Sequence, residues 1–222
     1  MKKIIDLSLP LSADATVVPG HPRLTLRPIH THKVHGRSNT TMKFSIHTGT
    51  HVDAPYHFVP GGKTVDQIAL ERLMGPAVKV DLRVKIRAGR PIAIEDIRTS
   101  PGFRERDLRG KIVVLHTGWN RKMFGKPTYY LENPWIATET ARWLASKGIR
   151  ALALDTPQDR VQGPPRPGDF PVHRIFLKKG IPFIEHLANL ERVKKRTFTL
   201  IALPMKIQGG DGAPTRAVAI VG

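Results

Sequence analysis

His47-Thr48-Gly49-Thr50-His51-Val52-Asp53-Ala54-Pro55-Tyr56-His57 is the stretch on which the reading of this chain turns. It brings three imidazoles and a carboxylate into one short segment, and these are side chains that bind zinc-like metals. A helix would place His47 and His51 on one face. However, Thr48, Gly49, Thr50, Val52 and Pro55 are poor helix formers, and no glutamate follows the first histidine as in His-Glu-x-x-His. A strand would set all four odd-numbered groups on one face. Yet an extended chain rises about 3.3 Å per residue, so His47 and His51 would stand roughly 13 Å apart. One ion with bonds of about 2.0–2.2 Å cannot hold both at that span. The chain must therefore curl, with Gly49 supplying the unusual dihedral and Pro55 stiffening the exit. Thr48 and Thr50 could orient the ligands through their hydroxyls. A histidine-rich surface loop is the plain alternative, and four such groups of one parity around a glycine argue against it.

Working outward, strands are expected over Ile4 to Leu11, Leu24 to Lys33 and Thr40 to His47, the last with Met42, Phe44 and Ile46 on one side. Val65 to Met74 reads as a short helix ended by Gly75-Pro76. Ala77 to Val84 is a strand with Val78, Val80 and Leu82 on one face, and Ala93 to Ile97 begins a short helix. Ile112 to Leu115 and Ala151 to Leu154 are continuous apolar runs, the pattern of buried strands. Between them Thr138 to Lys147 is a helix, capped by Thr138 and closed by Gly148. Phe170 to Lys179 has helical spacing up to Gly180, and Ile181 to Ile184, Thr197 to Leu203 and Arg216 to Val221 are strands. The Pro-rich run Gly163 to Gly168 reads as a loop and not a domain linker. The whole of 1–222 is expected to form one mixed α/β domain, with one main sheet and flanking helices.

Bulk properties narrow the classes. Hydrophobic residues make up 40% of the 222 residues, which describes a globular protein. No apolar run reaches the roughly 18 residues of a membrane helix. Asp6, Ser8 and Pro10 interrupt the apolar start, so no export signal is read and the cytoplasm is the expected location. With no cysteine, disulfides, thiolate nucleophiles and cysteine zinc sites are excluded. Any metal must be held by imidazole and carboxylate, which suits zinc, manganese or iron. The net charge of +18 would fit a polyanionic partner. The densest basic run, Arg192 to Arg196, comes with no RNA-binding aromatic motif or zinc finger. A solvated basic surface is the preferred reading, and nucleic acid is not an expected partner.

The motif resembles the His-x-Gly-Thr-His-x-Asp-x-Pro-x-His pattern of the cyclase family of metal-dependent hydrolases, which includes kynurenine formamidases (arylformamidases) and isatin hydrolases. Further similar segments are Ile5-Asp6-Leu7-Ser8, Pro19-Gly20, Thr117-Gly118-Trp119, Asp155-Thr156-Pro157, Pro171-Val172-His173-Arg174, Gly180-Ile181-Pro182 with Glu185, Ala202 to Lys206, and Asp211 to Val218. The resemblance implies a swivelling β/β/α fold and two divalent ions, zinc or manganese. By the family pattern His47, His51 and Asp53 hold the first ion. Asp53 bridges to a second held by His173 and Glu185, and His57 is the catalytic acid/base. It also implies a homodimer or homotetramer and a small amide substrate, above all an aryl formamide such as N-formylkynurenine.

Three positions depart from the formamidase pattern. Val17-Val18 stands where an aromatic usually precedes Pro-Gly, His21 where aspartate usually follows, and Gln158 where serine is usual. These leave the metal residues intact and keep a cyclic amide or lactone as the alternative substrate. A polyanion-binding protein on the same fold and a metal-storage or sensor module are the rival classes; measurable turnover would dispose of the latter. His116 is expected to be a packed, hydrogen-bonded strand residue, and His30, His32 and His35 to face solvent. His186 carries no assigned role, Gly209 to Gly212 is a turn bordering the site, and Trp119, Trp135 and Trp143 belong to core or interface.

Overall fold

A computed structural model describes residues 2–160 and 168–222. The Pro-rich loop expected over 163–168 thus lies, but for Gly168, outside the described residues. In chain order the elements are β1 Lys3–Asp6, β2 Thr25–His30, α1 His32–His35, β3 Asn39–Lys43, β4 His51–Asp53, β5 Met74–Asp81 and β6 Pro91–Ile92. They continue with α2 Ile94–Arg98, β7 Ile112–His116, α3 Trp119–Met123, β8 Trp135–Ile136, α4 Thr138–Ala145, β9 Ala151–Leu154 and α5 Pro171–Leu177. The last four are β10 Phe183–Glu185, β11 Thr197–Ile201, β12 Gly212–Pro214 and β13 Val218–Val221.

Nine strands form one sheet in the order β1-β13-β11-β5-β7-β9-β10-β4-β12. Its centre, β5-β7-β9-β10, is parallel, and both wings are antiparallel. The parallel strands carry the continuous apolar runs because both of their faces are buried. Val113, Leu115, Leu152 and Leu154 pack on one face beneath Ala141 and Leu144 of α4 and Val172 and Phe176 of α5. Ile112, Val114, Ala151 and Ala153 point the other way. There they meet Ile5, Leu200 and Ala219 of one wing and Val52 and Ala213 of the other. Both wings share that cluster, so the mixed sheet is curled on the face away from α4 and α5.

Several elements differ from the sequence expectation for identifiable reasons. The strand at Met74 runs through Gly75 and Pro76 instead of breaking there. Pairing with β7 begins only at Ala77, so Pro76 lies where β5 has one neighbour, β11, and its missing N–H is tolerated. Val65 to Met74 is not one helix but two 3₁₀ turns, Val65–Gln67 and Leu70–Arg72, separated by extended Ile68. The helix at 138 is entered from Ala137, and Thr138 makes no capping bond. β1 stops at Asp6, whose carboxylate accepts the Ser8 N–H (3.1 Å) and turns the chain.

β3 ends at Lys43, short of His47. It pairs only with β2, as a separate ribbon in which every residue but half-buried His30 is exposed. Among the described residues no helix is long and apolar enough to cross a membrane.

Candidate active site

The site lies where β4 meets β10. His51 sits opposite Glu185 and Asp53 opposite Phe183 in this antiparallel pair, while β12 flanks β4 on its other side. His47 precedes the strand in a turn, and Gly49 adopts φ +66°, the left-handed value that the required curl predicts. Pro55 opens a 3₁₀ turn, Pro55–His57, that brings His57 back over His47, with ring centroids 3.9 Å apart. Gly212 of β12 leaves room for this folding. A Cβ there would lie 2.8 Å from His47 Cε1 and 2.7 Å from the Val52 carbonyl oxygen.

His47, His51 and Asp53 are all buried, and their ligand atoms converge within 4.8 Å. His47 Nδ1 is 2.7 Å from Asp53 Oδ1, and His51 Nε2 is 3.2 Å from the same oxygen. His51 Nδ1 donates to the Gly49 carbonyl (2.8 Å), which leaves Nε2 with the lone pair that a metal ligand needs. Asp53 turns its other oxygen toward His173 Nε2 at 3.4 Å. That Oδ2 is buried and accepts no hydrogen bond. His173 Nε2 is also 3.4 Å from Glu185 Oε1.

The six residues singled out by sequence therefore come together in one place. The converging sets among the described residues are His47-His51-Asp53, Asp53-His57-His173, His51-Glu185-His186 and His47-His57-Asp211. Asp53, His173 and Glu185 together are not among them. A divalent cation fits this donor set: it is imidazole and carboxylate throughout, with an orphaned buried carboxylate oxygen at its centre.

Protonation shows how strongly the cluster attracts positive charge. Burial pulls the His47 imidazole down, but the Asp53 and Asp211 carboxylates outweigh it and raise the pKa to about 10. Burial likewise opposes, and carboxylates outweigh it, at His51 and His173, which are both raised. Burial would raise Asp53, but His47, His173 and His51 hold it well below the usual carboxylate range. His57 goes the other way. Burial, aided by the neighbouring His47 and His173, lowers it to about 4 against the pull of Asp53, leaving a neutral imidazole at pH 7.

Two carboxylates that the sequence reading did not single out complete the site. Asp211 accepts from His47 Nε2 (3.0 Å) and lies 3.3 Å from His57 Nδ1, so it orients both rings; the His47 contact lowers Asp211 to about 2. Asp159 accepts from His173 Nδ1 (2.6 Å) and from the backbone N–H groups of Val172 and His173. Gly209 to Gly212 was expected only to border the site, whereas Asp211 belongs to it.

Thr48 and Thr50 do not orient the ligands. The Thr48 hydroxyl is buried without a partner, and Thr50 links the Leu9 N–H to the His186 carbonyl. His186 is a buried strut between the hydroxyls of Tyr129 (2.8 Å) and Tyr130 (3.4 Å). His116 is buried as expected; its Nδ1 has no partner, its Nε2 lies 3.9 Å from Asp155 Oδ2, and burial lowers its pKa to about 3.

A cavity of about 400 Å³ opens over these groups. Val18, Phe58, Tyr130 and Phe170 give it apolar walls, and His21 and Gln158 also line it. All three departures from the formamidase pattern thus reach the cavity wall. His32 and His35 face solvent, and neither they nor His30 line the cavity.

The Cyclase family model matches residues 5–158. A kynurenine formamidase from Bacillus mycoides is 30% identical over 215 residues, covering 96% of this chain and 95% of the relative. Isatin hydrolase A from Labrenzia aggregata, solved with benzyl benzoate, superposes with a TM-score of 0.83 at 28% identity, covering 99% and 94% of the two chains. A solved structure described as a potential metal-dependent hydrolase with cyclase activity gives 0.78 at 26% identity, covering 99% and 98%.

Proposed function

The chain belongs to the Cyclase family, and from that premise we propose that it is a metal-dependent hydrolase of a small amide, with an aryl formamide such as N-formylkynurenine as the leading substrate. The observation that carries this reading is the burial of His47, His51 and Asp53 around one point, with His57 stacked above them at the floor of an apolar-walled cavity. His47, His51 and Asp53 would hold a zinc or manganese ion, and Asp53, His173 and Glu185 would frame a second position. Such an ion supplies Lewis acidity and brings the pKa of water from about 15.7 toward 7.

The chain's own groups do the rest. Asp211 engages His57 through Nδ1, so Nε2 is the nitrogen left to exchange protons. His57 takes a proton from the attacking water as the new C–O bond forms. It returns that proton to the departing nitrogen as the C–N bond breaks. Val18, Phe58 and Phe170 present an apolar surface suited to an aromatic ring and exclude water from around it. Val18, in place of an aromatic, can hold a ring by contact but cannot stack on it. A cyclic amide or lactone is therefore the second reading, favoured by that residue and by the likeness to isatin hydrolase.

We also propose assembly as a homodimer or homotetramer, supported by the ribbon of β2 and β3. The ribbon exposes Leu26, Ile29 and Met42, and α1 between its strands exposes Val34, on a two-stranded unit that is marginal by itself in water.

Metal content measured beside hydrolysis of N-formylkynurenine, with zinc and manganese added and a chelator control, tests the reading. Bound metal with chelator-sensitive turnover is the expected result. Bound metal without turnover transfers the proposal to cyclic amides and lactones, and no metal under any condition overturns it.

A further inference from the structure

Gln158 lies between the two residues proposed to frame the second ion. It is 1% exposed, and its backbone is pinned: its carbonyl accepts the Ile136 N–H (2.9 Å). Asn133 Nδ2 meanwhile donates to the carbonyls of Pro157 and Asp159 on either side (3.1 Å each). The carboxamide nitrogen donates to Glu185 Oε1 and stands 2.6 Å from His173 Nε2. His173 Nδ1 gives its proton to Asp159, so in the neutral form that a metal ligand requires the ring carries its lone pair at Nε2, where the second amide hydrogen of Gln158 can meet it. Turning the amide over would set its oxygen against the Glu185 carboxylate, so Glu185 fixes the orientation.

The amide group therefore uses the same two lone pairs, on His173 Nε2 and Glu185 Oε1, that a cation would use. It is an uncharged stand-in at that position, between His173 and Glu185, and Asp53, His173 and Glu185 do not converge as a set. Its own Oε1 is buried without a partner, so nothing on the far side of the amide secures it.

We propose that the Gln158 carboxamide competes with the second metal ion. The chain holds one ion tightly on His47, His51 and Asp53, and it takes a second at Asp53, His173 and Glu185 only by displacing Gln158. This rests on the reading above that these residues bind metal.

The test counts ions directly. Full-length wild type, Gln158→Ser and Gln158→Ala are stripped with chelator and titrated with zinc or manganese. Bound metal per chain is then measured by mass spectrometry against protein concentration, with circular dichroism to verify folding. Wild type is expected to saturate at one ion over a range in which both variants take two. The second ion should bind roughly tenfold to a hundredfold tighter in the variants, the range set by releasing one or two charge-assisted hydrogen bonds. Glu185→Gln should leave the wild-type ion in place yet remove the second ion from Gln158→Ser; this arm needs no Gln158 substitution to judge the first ion.

Two ions in wild type with the variants' affinity would overturn the proposal alone, as would variants that stay at one. Loss of the wild-type ion on Glu185→Gln would also overturn it. No ion in any of the proteins would bring down the proposed function with it.

Discussion

His57 and Asp53 stand within one turn of each other and are assigned different tasks, so substitution should separate them. His57→Ala removes the proton-exchanging Nε2 but no ligand of the first ion. Turnover is expected to fall by roughly 10²–10⁴-fold, the usual worth of a positioned acid/base, while bound metal is retained. Asp53→Ala and His51→Ala should lose metal and turnover together. Metal content and rate measured on the same preparations decide this, and an active His57→Ala would remove the acid/base assignment. The residue types and spacing of the motif made this part of the site legible in sequence. One parity, one glycine and ligands too far apart for a strand forced a curl, and Gly49 makes it. Asp211 and Asp159 were not legible in the same way. Asp211 reaches His47 across a sequence separation of 164, and Asp159 reaches His173 across 14, with no local pattern to mark either contact.

At the scale of elements, Asp155 shows how the end of one strand fixes its neighbour. It follows β9 and accepts three bonds of 2.7 Å, from the N–H and hydroxyl of Thr117 and the N–H of Gly118. It thereby holds the turn from β7 into α3. Burial raises its pKa to about 6 from the ordinary 3.8, with those hydrogen bonds opposing the shift. The folded chain then binds this proton more tightly than the unfolded one. The stabilising contribution is fully present below about pH 3.8 and is lost as pH rises through about 6. Asp155→Asn should abolish that slope in urea midpoints taken across this window. It should also destabilise by about 1–3 kcal/mol, because an amide N–H would face one of the three donors. An unchanged slope would assign the pH dependence to another group. The same scale shows where sequence reading worked. Ile112 to Leu115 and Ala151 to Leu154 were legible because double burial leaves an unbroken apolar run. β5 starts three residues before the expected Ala77, because Gly75-Pro76 breaks most strands and is tolerated here only by one-sided pairing.

For the whole molecule, the sheet closes the chain on itself: β1 and β13 pair at one edge, while the motif strand β4 lies near the other. The strand order was not legible, since it depends on which long-range pairings best cover the two apolar faces. The ribbon of β2 and β3 stands outside that sheet, and this is what the sequence concealed. Leu26 and Met42 are cross-strand partners on it, and their alternation reads like that of a core strand, yet both are exposed, at 53% and 44%. A two-stranded ribbon has no second layer of its own to bury such residues, and isolated hairpins are marginal in water. A second copy of the chain supplies that layer in the proposed oligomer. Leu26→Asp with Met42→Asp places two like charges directly opposite each other at that contact, where they also repel across the ribbon. Light scattering coupled to gel filtration should then show a shift from the assembled mass toward the monomer, with the metal count of the first site unchanged, because neither residue lines the cavity. An unchanged mass would place the subunit contact elsewhere on the molecule, and a monomeric wild type would remove the oligomer altogether.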